Sequence, residues 1–160
     1  MVGAFGVDVS FDLLRYKFVY SAMARDTHHD AVRAALEADG WTITHDPYMV
    51  SAGTRNLRID LGAERLIAAE KGGETIAVEV KSFVGISSLH EFYKAVGQFD
   101  YYKFSLAKQD AERILFLAVP FDFFEEFVEE DIHNQAYIAD RHIRIIVYNP
   151  DTATLLKWIK

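Results

Sequence analysis

The run Arg113-Ile114-Leu115-Phe116-Leu117-Ala118-Val119, closed by Pro120, carries no polar residue after its first position. A strand with one wet face alternates apolar and polar side chains, whereas a strand covered on both faces reads as an unbroken apolar stretch. This segment therefore calls for a sheet with helices on both sides. A second strand-like segment, Thr75-Ile76-Ala77-Val78-Glu79-Val80-Lys81-Ser82-Phe83, is apolar in the same way except for two charges. Side chains alternate along a strand, so Ala77, Glu79 and Lys81 share one face while Ile76, Val78 and Val80 share the other. Ionised groups in such company carry a desolvation cost and persist where something pairs with them. A divalent cation is one such partner.

At 160 residues the chain is expected to form one domain with a real core. It has no cysteine, which removes disulfides and thiolate metal sites and makes the reducing cytoplasm the expected compartment. No apolar run approaches the length that spans a bilayer, so no membrane association is expected. The net charge of -7 speaks against a broad basic surface for nucleic acid. It does not exclude a local groove, because bound cations reverse the field around carboxylates.

Residues 1–24 show no clean period and read as an appended segment, with the folded domain expected over 25–160. Thr27 is placed to cap a helix over His28 to Asp39, stopped by Gly40. Trp41 to His45 alternates as a strand, and Asp46-Pro47 turns the chain. Leu57 to Leu61 forms a strand holding Asp60, and Arg65 to Ala69 pairs with the Glu79 strand as a hairpin across Lys71-Gly72-Gly73-Glu74. Ser88 with Glu91 offers a capping box for a helix to about Leu106, with Leu89, Phe92, Val96 and Phe99 as its apolar stripe. Helical pieces at Phe121 to Glu130 and Gln135 to Arg141 precede two closing strands, Arg144 to Tyr148 and Thr154 to Ile159. The aromatic and acidic stretch from Phe121 to Phe127 reads as an amphipathic helix covering the sheet. The order is that of an α/β sandwich with a central mixed sheet.

Asp60, followed after eighteen residues by Glu79-Val80-Lys81, resembles the signature of the PD-(D/E)XK nuclease superfamily. On the next helix Gln98 and Tyr102 fit the Gln-x-x-x-Tyr motif of its RecB-like branch and stand one turn apart on one side. His28 and His29 occupy the place where that branch supplies a metal-ligating histidine. More specifically, His29-Asp30-Ala31-Val32, Gly40-Trp41-Thr42-Ile43-Thr44-His45-Asp46-Pro47, Ile59-Asp60-Leu61-Gly62-Ala63-Glu64, Ala77-Val78-Glu79-Val80-Lys81-Ser82-Phe83-Val84-Gly85, Gly97-Gln98-Phe99 and Leu156-Lys157-Trp158-Ile159-Lys160 are similar to the XisH family.

The resemblance implies a restriction endonuclease-like three-layer α/β sandwich, its central mixed β-sheet flanked by helices. It also implies a part in excision of the fdxN element in cyanobacteria, beside a site-specific recombinase and a small XisI-like companion. DNA is the implied substrate, and a homo-oligomer stays open. In such a site Asp60, Glu79 and the carbonyl of Val80 would supply oxygen ligands to Mg²⁺ or Mn²⁺, with His29 as an extra ligand that favours Mn²⁺. Lys81 would orient the attacking water or offset transition-state charge, and Gln98 and Tyr102 would hold the substrate backbone or Lys81 itself. Each residue also has a plainer reading. Glu79 and Lys81 could form a salt bridge on a half-exposed strand, Asp60 could end a strand, Gln98 could lie on a helix surface, and Tyr102 could belong to the core. The rival to an enzyme is a non-catalytic accessory factor that keeps the nuclease scaffold and binds the companion, the recombinase or both.

Overall fold

The structure, a computed structural model, describes residues 9–51, 66–85 and 87–160. In chain order the elements are α1 (Val9–Ala38), β1 (Thr42–His45), β2 (Leu66–Lys71), β3 (Glu74–Val80), α2 (Ser88–Gln109) and β4 (Ile114–Pro120). Then follow α3 (Phe121–Phe124), continued by a π turn over Glu125–Glu129, α4 (Ile132–Asp140), β5 (Ile145–Asn149) and β6 (Thr154–Ile159). The six strands form one sheet in the order β1-β2-β3-β4-β5-β6. β3, β4 and β5 run parallel at its centre, and the outer pairs are antiparallel.

Local chemistry explains the connections. Lys71 pairs with Glu74 across Gly72 and Gly73, at φ 59° and 84°, the backbone that a two-residue hairpin of matching twist demands. The parallel step from β3 to β4 needs a crossover, and α2 supplies it. Pro120 ends β4 and opens α3 without a side-chain cap. In the turn between β5 and β6 the Asn149 side chain accepts from the amides of Asp151 and Thr152.

Two cores sandwich the sheet. On one face Val32 and Leu36 of α1, with Trp41, pack on Ile67, Ile76, Val78, Phe116 and Ile146. On the other, Phe92, Ala95, Phe99 and Leu106 of α2 pack on Ala77, Leu115, Leu117, Ile145 and Val147. β4 is buried along both, as its unbroken apolar sequence requires. The result is a three-layer α/β sandwich with a mixed sheet. Among the described residues no helix is long and apolar enough to cross a membrane.

Three local expectations are corrected. Thr27 does not cap α1; it sits inside it, and its hydroxyl donates to the carbonyl of Met23. The helix continues back to Val9 with Leu13, Leu14, Tyr16, Phe18, Tyr20 and Met23 exposed, so among the described side chains before Thr27 no buried stripe announces it. The cap of α2 is Ser87 rather than Ser88, its side chain accepting from the amide of His90, and Leu89 is exposed instead of joining the stripe. α4 begins three residues earlier than the expected Gln135, where the Asp131 carboxylate accepts from His133 and Asn134. The Phe121 to Phe127 stretch does cover the sheet: Phe123 stacks on Phe127 at 5.0 Å, and Phe123 and Phe124 are buried.

Candidate functional site

The alternation of β3 delivers Glu79 and Lys81 to the face beneath α2, beside Ala77, while Ile76, Val78 and Val80 enter the core under α1. Glu79 is 1% exposed and Lys81 6%, so the salt bridge of the plain reading is present, but on a buried strand rather than a half-exposed one. Lys81 Nζ lies 3.1 Å from Glu79 Oε1 and donates to Gln98 Oε1 at 2.5 Å. The ammonium is thus shared between a carboxylate and an amide oxygen, a charge-assisted arrangement that offsets part of the cost of burying both ions.

Gln98 reaches Lys81 because α2 presents it next to its buried stripe. Phe92, Ala95, Phe99, Tyr102 and Leu106 face the sheet, and Gln98 flanks that stripe, half-buried. Tyr102, one turn further on, is buried in the same layer. On the outer side of α2, Gln98 and Tyr102 also help line a depression of about 300 Å³ together with Tyr93, Lys94, Gly97 and Tyr101. The buried pair therefore lies one residue layer beneath a surface hollow.

The backbone of Lys81 is held from the opposite side. Its amide donates to the carbonyl of Ala118 at 3.0 Å, and its carbonyl accepts from the hydroxyl of Tyr148 at 3.1 Å. Tyr148 is 0% exposed, and its hydroxyl lies 2.8 Å from His28 Nδ1. The hydroxyl has one hydrogen; if Lys81 receives it, His28 must donate its own to the Tyr148 oxygen. Burial pushes the Tyr148 hydroxyl well above its ordinary range, which keeps it a donor. Burial likewise lowers His28, with Asp151 acting weakly in the other direction. Just beyond, Phe83 takes a left-handed backbone at φ 51°, held by a parallel stack on Phe123 at 3.6 Å. Tyr148 and Phe83 stand outside the sequence motif. A Tyr in a strand that reads as wholly buried must find a partner for its hydroxyl, and that was the available signal.

The remaining expected residues are placed as follows. Val80 ends β3 with its side chain in the core under α1. His29 belongs to α1, across the sheet from Glu79, where its Nε2 lies 2.8 Å from Asp46 Oδ1. Arg33 donates to the other Asp46 oxygen at 2.8 Å, so Asp46 ties the end of β1 to α1. Asp60 lies outside the described residues. Among the described residues no three His, Asp or Glu side chains form a cation cluster. The Glu79 carboxylate is a hard oxygen donor of the kind Mg²⁺ or Mn²⁺ takes.

The family model described as XisH protein matches residues 22–156. Two crystal structures are similar over most of the chain. An XisH family protein from Nostoc punctiforme PCC 73102 is 40% identical with a TM-score of 0.75, covering 84% of this chain and 99% of its own. An fdxN element excision controlling factor protein from Anabaena variabilis is 39% identical with a TM-score of 0.76, at the same coverage of both chains. Among curated proteins none matches the chain. The matched span takes in β3, α2 and the strands that hold them, and the protein belongs to the XisH family.

Proposed function

We propose that this XisH-family protein serves the excision of a DNA element and does so by metal-dependent phosphodiester cleavage at a PD-(D/E)XK site. The observation that carries the reading is the buried ammonium of Lys81, 3.1 Å from Glu79 and 2.5 Å from Gln98. A charge pair so deeply placed is an inefficient way to stabilise a sheet, since apolar side chains of similar volume often do better. Asp60, Glu79 and the carbonyl of Val80 would hold Mg²⁺ or Mn²⁺, which supplies polarisation of the phosphodiester and a more acidic water. Lys81 holds a proton at Nζ and a positive charge beside the reacting group. Gln98 fixes the direction of that charge, and Tyr102 lies one turn along the same helix. His29 keeps to Asp46 in this reading and is not required as a ligand.

The test is cleavage of labelled single- and double-stranded DNA with Mg²⁺ or Mn²⁺, with and without an XisI-like companion and a recombinase. Divalent-dependent cleavage is expected, reduced by about a hundredfold or more in folded Lys81→Met protein. Asp60→Ala should weaken divalent-ion binding; equal affinity in parent and variant would remove Asp60 from the site. A second reading, a non-catalytic factor acting through its protein partners, is favoured by the near-complete burial of Glu79. Inactivity of folded, partner-bound protein under every condition would put that reading first.

A further inference from the structure

Among the described residues α2 has an outer face that nothing covers, and its composition is unusual for an acidic protein. Tyr93, Gly97, Tyr101, Phe104 and Lys108 follow one another at steps of four, four, three and four residues, which aligns them on one stripe of the helix. Tyr93 is 63% exposed, Tyr101 45% and Phe104 61%. Lys94 borders the stripe, and Lys108 Nζ lies 4.6 Å from the Phe104 ring centre; Asp100 is the acid on its other margin. Three exposed rings on one side of a helix exceed what scattered surface apolar residues explain.

Gly97 adds a second, separate observation. A glycine inside a helix costs about 1 kcal/mol relative to alanine, and here a side chain at that position would meet nothing within 4 Å. Packing does not require it. Its effect is to leave the hollow between Tyr93 and Tyr101 open, and that hollow reaches Gln98 and Tyr102.

We infer that this face is a stacking platform for single-stranded nucleic acid, its bases lying on Tyr93, Tyr101 and Phe104 and its backbone beside Lys94 and Lys108. Every base offers a π-face, so rings bind without reading sequence, and a protein of net charge -7 can hold a strand through stacking where it lacks a broad basic surface. The rings span about 17 Å of helix, room for several nucleotides. The hollow at Gly97 brings the strand to Gln98, which accepts from Lys81. The inference rests on the nuclease reading for its purpose, and it names the substrate as single-stranded.

The test is the anisotropy of labelled oligothymidylate and of a duplex of equal length, titrated with the full chain in EDTA. Expected are tighter binding of the single strand and a loss of about tenfold or more for each of Tyr93→Ala and Tyr101→Ala. The log–log salt slope should be near about −1.4, as two phosphate contacts give. Gly97→Leu should fill the hollow and weaken binding while leaving the melting temperature equal or higher. Absence of binding, preference for duplex, or binding indifferent to the ring variants would overturn the inference. Ring variants that change only self-association would assign the face to a protein contact and overturn it equally. Because cleavage is silent in EDTA, an inert protein that still binds the single strand leaves this inference standing. A nuclease that cuts only duplex and ignores oligothymidylate removes it alone.

Discussion

The two faces of β3 are made from alternate residues of one strand and do different work. Ile76, Val78 and Val80 enter an apolar core with Val32 and Leu36, where any well-packed hydrophobe would serve. One residue out of phase, Glu79 and Lys81 enter the opposite layer, where each charge is buried against the other and Gln98 accepts from the ammonium. Tyr148 joins the two: it is packed in the apolar core, yet its hydroxyl holds the carbonyl of Lys81. The contrast teaches that one strand can build a plain apolar core on one face and hold a buried, paired charge on the other.

The largest effect should come from breaking the pair on one side. Lys81→Met leaves the Glu79 carboxylate buried without its ammonium and should cost about 3–5 kcal/mol in urea unfolding. On the apolar face, Ile76→Val removes one methylene and should cost about 0.5–1.5 kcal/mol. Equal costs for the two would erase the distinction between the faces. Between them lies Tyr148→Phe, which strips the donor from a buried carbonyl and should cost about 1–3 kcal/mol.

A pH series sharpens the role of His28 in that link. Its folded pKa lies below the ordinary 6.5, so between the two values the unfolded chain binds more protons. Stability from this group is therefore complete above 6.5 and falls as pH drops below it. The difference in unfolding free energy between parent and His28→Gln, followed from about pH 7.5 to about 5.5, should shrink on the acid side. A constant difference would show that burial does not lower His28.

The smallest effects distinguish the helix caps: Ser87→Ala should cost about 1 kcal/mol, whereas Thr27→Ala, inside α1, should change stability by less than about 0.5 kcal/mol.

Those two threonine and serine positions also show where the fold was legible and where it was not. β3 and β4 could be read because burial on two faces leaves a direct imprint, unbroken apolar residues with two conspicuous exceptions. The hairpin at Gly72 and Gly73 could be read because its backbone admits few residues. The first half of α1 could not, since its large apolar side chains from Leu13 to Tyr20 are exposed and periodicity records only what a helix buries. Glu79, Lys81 and Gln98 could be singled out by residue type and spacing, and the structure brings their side chains together. The Tyr148 hydroxyl, the His28 contact and the left-handed Phe83 depend on residues distant in sequence, and no local pattern encodes them.

The central claim is that Glu79 and Lys81 are kept for chemistry rather than for stability. The double variant Glu79→Gln with Lys81→Met removes both charges at once and leaves no lone ion in the core, so it should fold at least as stably as the parent. Its divalent-dependent cleavage of DNA, measured beside the parent in the presence of the companion protein, decides the matter. Cleavage by the parent and none by the folded double variant is the predicted result; equal cleavage by both would show that the pair is structural and that the chemistry lies elsewhere.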